Sequence, residues 1–338
     1  MRFKNVAIAS ICHIEAPHVL TSAEIVEKLG ATMDRLGIRR DVLEGVAGIR
    51  SRRLFSRDTP PSDAAAQAGE LAIVDAGIER ERIGILINTS VCRDFLEPST
   101  AAIVHGKLGL PEDCQNFDVG NACLAFLNGM DIAARMIERG DIEYALIVDG
   151  ENSRPICDAT MARLALPETT AEQFRNEMAS LTLGSGGVAM VMGRSERFPD
   201  GHQYLGSVVR SATNWSKLCC GNIDRMITDT KMLLIEGLKL ATKTYGVARE
   251  VFGWAANEVD EFVVHQVSRV HTEELVRMLG IDPAKVLSVF PEMGNIGPAS
   301  VPIALSKLKQ LGRLVKGKRI ALLGIGSGLN CAMAEIVG

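Results

Sequence analysis

The chain repeats a strand, turn, helix and strand pattern at an offset of about 175 residues, which constrains its fold more than any other feature. In the first copy the apolar run Ile83–Ser90 (IGILINTS) is followed by Phe117–Arg139 (FDVGNACLAFLNGMDIAARMIER) and Tyr144–Asp149 (YALIVD). In the second, Glu261–Gln266 (EFVVHQ), Phe290–Lys309 (FPEMGNIGPASVPIALSKLK) and Ile320–Ile325 come in the same order, with Gly294-Asn295 falling where Gly120-Asn121 falls. A spacing kept through four elements points to duplication of one α/β unit. The strand runs are continuously apolar rather than alternating, as in strands buried on both faces. Strands alternating with helices predict mostly parallel sheets covered by helices on both sides. The halves are expected at 1–195 and 196–338, the first carrying a polar insertion at about 151–180 that includes Pro155 and Pro167.

A chain of 338 residues accommodates two such units. Its 47% hydrophobic content with only 4% aromatics predicts an Ala/Val/Ile/Leu/Gly core, the usual make-up of α/β enzymes. The net charge of −4, with lysines and arginines dispersed, argues against nucleic acid as a partner. No run has the length of a membrane span, and MRFKNVAIAS lacks a signal-peptide profile. Eight cysteines without a CxxC pair fit neither a disulfide framework nor a zinc site, so a soluble cytoplasmic protein without a bound metal is expected. Asn5–Ile11 reads as a first strand, and the capping-box spacing Thr21 to Glu24 opens a helix reaching about Leu29. Ser62 is placed to cap an alanine-rich helix over 63–76. Arg50, Arg52 and Arg53, in the Gly-punctuated segment Gly45–Leu54, read as solvated surface, with contact to a phosphate as the alternative.

Cys123 stands at the turn where a long helix begins. Unpaired N–H groups and the positive end of the macrodipole favour thiolate there, which makes it a candidate nucleophile; taken alone, a buried packing cysteine is the blander reading. His265 ends the run FVVHQ and Asn295 lies in the turn GNIGPAS. Alone they read as a core histidine and an ordinary turn, but corresponding strand ends of two packed, related halves would bring both to Cys123. Such a set suits acyl transfer: the cysteine holds an acyl group, while His265 and Asn295 each offer an N–H to a developing enolate or carbonyl oxygen. The glycine loop Gly324–Gly328 (GIGSG) can set the backbone N–H of Ser327 beside that of Cys123 as a second oxyanion hole. It is no dinucleotide fingerprint, since it lies near the chain's end with no βαβ unit following.

NACLAF around Cys123, HQVS at His265, GNIGPAS at Asn295 and GIGSG at Gly324, with the earlier GIRSRR and LGSGGVAMV, resemble the Cys-His-Asn condensing enzymes of the thiolase superfamily, nearest its β-ketoacyl synthase III branch. The resemblance covers nearly the whole chain. It implies the five-layered αβαβα fold, a homodimer, acyl thioester substrates and no cofactor apart from the coenzyme A of those substrates. Within the superfamily the local sequences are similar to the enzymes that join two fatty acyl-CoA molecules head to head in long-chain olefin biosynthesis. On that resemblance Glu97, in NTSVCRDFLEPST, reaches across from the partner subunit and acts as a base. Two unactivated acyl chains condense only when an α-proton is removed, whereas a decarboxylating synthase makes its carbanion by losing CO2 from a malonyl thioester. The implied activity is a non-decarboxylative Claisen condensation to a 2-alkyl-3-ketoalkanoic acid, with Cys123, His265, Asn295, Glu97 and Ser327 at the site. The alternatives are malonyl-dependent condensation and a catalytically silent acyl-binding subunit. A ketoreductase and other olefin-pathway enzymes are the further partners the resemblance implies.

Overall fold

The computed structural model describes residues 2–254 and 258–338. The chain opens with β1 (Val6–Glu15), β2 (His18–Thr21), α1 (Ser22–Arg35), β3 (Ser51–Leu54), α2 (Pro61–Ala76), β4 (Ile83–Asn88), α3 (Thr100–Leu108) and β5 (Gln115–Asp118). It continues through α4 (Ala125–Arg139), β6 (Tyr144–Glu151), α5 (Arg154–Leu164), α6 (Ala171–Glu177) and β7 (Gly186–Arg194). Then come β8 (His202–Ser211), the small hairpin β9 (Cys219–Gly221) and β10 (Met226–Thr228), and the long α7 (Thr230–Phe252). The chain closes with β11 (Glu261–Val264), α8 (Arg269–Leu279), α9 (Phe290–Met293), α10 (Ser300–Gln310), β12 (Arg319–Gly326) and β13 (Asn330–Val337).

The strands line up as β5-β4-β6-β7-β1-β8-β13-β12-β11. From one end, β5, β4 and β6 run parallel, then β7 and β1 each turn antiparallel to the strand before. From the other, β11 and β12 run parallel, and β13 and β8 each turn antiparallel. The two series meet where β1 pairs with β8 at Ala7–Gln203 and Ile8–His202. Even β5 has a counterpart, a parallel bridge between Phe262 and Val286. The same unit is thus built twice, as the repeated sequence pattern predicts.

Apolar packing sorts the helices into layers. Leu124, Phe126, Leu127, Met130 and Ile137 of the α4 segment share one core with Val301, Ile303, Leu305 and Leu308 of α10 and with residues of both sheet halves. On the outer faces, α2 and α3 pack on β4 and β6, and α7 and α8 pack on β11, β12 and β13. This gives helix, sheet, helix, sheet, helix. Each fully buried Leu, Ile or Phe in the central layer contributes about 1.5–3 kcal/mol, so α4, which starts at the Cys123 turn, is among the most firmly seated elements.

Several expectations need correction. The sheet is mixed rather than mostly parallel, because β12 turns straight into β13 without a crossover helix, and β1 lies antiparallel to β7 on one side and β8 on the other. α8, β13 and the β9–β10 hairpin fall where no strand or helix is expected from the sequence. The Thr21–Glu24 capping box forms as predicted, but its helix runs on to Arg35. Ser62 does not cap α2: that helix starts at Pro61, and Asp94 accepts from the Ser62 amide and hydroxyl instead. Of the arginines of GIRSRR, Arg50 stays on the solvated surface as expected, Arg53 is half-buried and Arg52 is not on the surface at all. Arg50 pairs with Glu292 and Arg53 with Glu15, while Arg52 is buried and donates to the Leu20 carbonyl and Ser22 hydroxyl. Burial lowers the Arg52 guanidinium to about 10. The insertion at 151–180 supplies α5 and α6, which pack with α1 over β3.

Candidate active site

The site is assembled at the start of α4. After β5 the chain passes Gly120-Asn121, and Ala122 adopts a φ of +45°, a left-handed conformation few side chains tolerate. Residues Ala122–Leu124 form a single 3₁₀ turn leading into α4. Cys123 sits in the middle of that turn, half-buried. Asn121 fixes the turn from two sides, donating to Asn128 of α4 at 2.7 Å and accepting from Asn330 of β13 at 2.9 Å.

The second half of the chain packs directly on this turn. A methyl group at Gly324 would lie 2.6 Å from Leu124, and one at Gly326 would lie 3.1 Å from the Asn121 carbonyl, so bare backbone is required for β12 to approach so closely. Beyond them, Ser327 is half-buried in the turn between β12 and β13, two strands that both contact the Cys123 turn. His265 follows β11 and is bonded through its amide to the Leu323 carbonyl of β12, one residue from Gly324. It is buried, and its Nδ1 makes no hydrogen bond within the described residues. Burial, with His271 nearby, lowers His265 to about 4, so the imidazole is neutral at pH 7.

Asn295 reaches the site from the other side. Its backbone is clamped to the segment before β7: its amide donates to Thr182 and its carbonyl accepts from Gly184. Gly184 must be glycine, since a Cβ there would lie 1.8 Å from the Met293 carbonyl oxygen. The Asn295 side-chain oxygen accepts from the Gly297 amide at 3.0 Å, which leaves its NH₂ group free to donate elsewhere. The 3₁₀ turn Gly297–Ala299 that follows packs against the Cys123 turn. The elements bearing Cys123, His265, Asn295 and Ser327 therefore meet in one corner, at the ends of β11 and β12 and the start of α4.

Glu97 does not join them within one chain. It is exposed, on the segment between β4 and α3, beside Phe95 and Leu96, which are 60% and 90% exposed. Two residues that escape notice in the sequence do stand near Cys123. Glu151, at the end of β6, is buried and accepts from the amides of Val91 and Cys92 at 2.6 and 3.1 Å. Cys219 lies at the start of the β9–β10 hairpin, held by the Thr228 hydroxyl at 3.3 Å. Both act on Cys123. Burial first, then Cys219 and Glu151, push its thiol up to about 12, against the expectation that the helix start alone favours thiolate. Burial also raises the carboxyls of Glu151 and of Asp149 behind it. Glu151 ends a wholly buried apolar strand, and an acidic residue there is the signal that would have marked it.

Comparison with known proteins agrees with this architecture. Residues 117–212 match the family model for 3-oxoacyl-[acyl-carrier-protein (ACP)] synthase III, and residues 250–336 match the model for its C-terminal part. An acyl-CoA:acyl-CoA alkyltransferase of Xanthomonas campestris is 64% identical over 337 residues, with all of both chains covered. A β-ketoacyl-[acyl-carrier-protein] synthase III of Neisseria gonorrhoeae is 27% identical, covering 83% of this chain and 85% of its own. Crystal structures of a cysteine-to-serine variant of Xanthomonas campestris OleA with bound lauric acid and lauroyl-CoA superpose with a TM-score of 0.98 at 63% identity, over 99% of this chain and 100% of that one. Other structures of the same protein carry a replaced glutamate or histidine. Identity of this extent, spread from end to end over one backbone, makes the chain a member of the OleA family of acyltransferases, within the synthase III group of the thiolase superfamily.

Proposed function

We propose that this protein joins two fatty acyl-CoA molecules by non-decarboxylative Claisen condensation, through an acyl group held on Cys123. The observation that carries the reading is one of spacing. The glutamate, cysteine and histidine replaced in the OleA structures stand at the same sequence separations as Glu97, Cys123 and His265.

The thiol of Cys123 attacks the thioester carbonyl of the first acyl-CoA. With the thiol raised to about 12 and the imidazole lowered to about 4, the two do not form an ion pair at rest, so the thiol proton passes to the departing CoA sulfur in step with the attack. The amides of Cys123 and Ser327 receive the oxyanion, and CoA departs as the thiol. Glu97 of the partner subunit then takes an α-proton from the second acyl-CoA. His265 and the free NH₂ of Asn295 donate to the resulting enolate oxygen. A neutral imidazole suits that task, because it can donate without first taking up a proton. The α-carbon attacks the acyl carbonyl, the Cys123 sulfur is released, and water cleaves the remaining CoA thioester to leave a 2-alkyl-3-ketoalkanoic acid.

The exposed Glu97 among exposed apolar side chains fits a segment that is completed in a homodimer. The mirrored strand order supports halves at 1–195 and 196–338, one bringing the nucleophile and the other His265 and Asn295. Among the described residues no helix is long and apolar enough to cross a membrane. We place the enzyme in the cytoplasm, ahead of a ketoreductase that consumes its labile ketoacid.

Mass spectrometry of the products from one pure fatty acyl-CoA, with no malonyl donor, tests the activity. The ketoacid and its decarboxylated ketone are expected; product only when malonyl thioester is added would establish decarboxylating chemistry instead. Replacing His265 or Asn295 with Ala is expected to slow condensation on the order of 100- to 1,000-fold while the fold persists, as loss of a single oxyanion donor does. A loss of only a few-fold in both variants would remove them from the reaction.

A further inference from the structure

The Glu151 carboxylate lies between the nucleophile and the segment that carries the proposed base. It ends β6, is buried, and both oxygens are engaged: one accepts from the Val91 amide at 2.6 Å, the other from the Cys92 amide at 3.1 Å. Val91 and Cys92 are the first residues of the exposed segment that bears Glu97. On its other side Glu151 approaches the turn after Asn295, where a Cβ on Gly297 would lie 3.9 Å from its carboxyl. Farther along the segment, Asp94 ties down by accepting from Ser62 of α2, and the Cys92 thiol donates to the Asn152 carbonyl. Glu97 itself follows the last of these anchors.

We propose that Glu151 is a positioning residue for condensation: by holding the two amides at the root of the 91–98 segment, it sets where Glu97 stands in the neighbouring active site. The proposal rests on the reading of Glu97 as the base. It follows from the two-point grip, which is directional in a way that a single bond is not. A carboxylate accepting from two adjacent amides fixes both the position and the rotation of the peptide chain leaving it. Because Glu151 sits in its own subunit's active-site corner while Glu97 is exposed at the surface, each site orders a part of the other. Acylation of Cys123 does not involve the segment and proceeds without it.

The test is Glu151→Gln, which keeps size but turns one acceptor oxygen into a donor facing an amide. Hydrogen exchange at the Val91 and Cys92 amides should quicken about 10- to 100-fold, the equivalent of one lost charge-assisted bond. Condensation should fall by a similar factor, since small displacements of a reacting group cost that much. CoA release in the first turnover should not slow, since losing the Glu151 charge removes one of the influences that raise the Cys123 thiol. Glu97→Gln combined with Glu151→Gln should be no slower than Glu97→Gln alone, because both act through one carboxylate. Unchanged exchange at these amides overturns the proposal. So does a double variant much slower than Glu97→Gln, which would place Glu151 in direct contact with the chemistry. Normal condensation in Glu97→Gln alone overturns the base reading instead, and the exchange result still reports on the grip. Should Glu151→Gln fold poorly, Asp94→Asn, which loosens the segment at its second anchor, should reproduce the split between acylation and condensation; equal loss of both half-reactions there would count against positioning.

Discussion

Cys123→Ala should form neither acyl-enzyme nor ketoacid, a loss on the order of 10⁴-fold or more. No other group can stand in for it. The turn that presents Cys123 depends on a left-handed Ala122, two bonds at Asn121 and a close pass of β12, and nothing equivalent surrounds the neighbouring Cys219. Cys123→Ser should do little better. A hydroxyl in the surroundings that already raise the thiol to about 12 is held neutral more firmly still, and is a weaker nucleophile. Intact-protein mass spectrometry after exposure to acyl-CoA gives a direct reading. An added acyl mass on the Ala variant, mapped to Cys219 or elsewhere, would mean that the nucleophile has been misassigned.

Glu97→Gln should separate the half-reactions. Acylation requires a thiol and an oxyanion hole but no carboxylate, so the variant is expected to release one CoA per site in a burst and accumulate acyl-Cys123. Condensation should then all but stop, because nothing else makes the α-carbon of a saturated chain nucleophilic. The residue is exposed, so the substitution leaves no buried group without a partner. Heterodimers of a Cys123→Ala protomer with a Glu97→Ala protomer should recover activity at one of their two sites. Sustained ketoacid synthesis by Glu97→Gln would return the residue to an ordinary loop position. No recovery in verified heterodimers would confine it to its own subunit.

The duplication was legible because it is written in backbone terms: apolar runs for strands, Gly-Asn for the turns, and a constant offset between them. Cys123, His265 and Asn295 could be singled out for the same reason, as each ends or begins a predicted element. Features set by long-range packing were hidden. Arg52 looks like any surface arginine until α1 and α9 close over it. The high thiol of Cys123 arises from burial and from neighbours 26 or more residues away in sequence, which no local pattern reveals. β13 was missed because its partner β12 precedes it by only a tight turn, so the alternation of strand and helix stops there without a signal.

The bond from Asn330 to Asn121 spans 209 residues. At a synthesis rate of about 5–20 residues per second, some 10–40 s pass between the appearance of the two partners. Early in that interval the nascent chain already holds Cys123 but lacks β11, β12 and β13, and β13 has only begun when it ends. Contacts this distant form late in folding, since the chain must first close a long loop. The Cys123 turn is therefore made early and pinned last. A ribosome that stalls, or a message cut short before the final strand, yields a Cys123 turn without its tie to Asn330 and without β13 packed beside it.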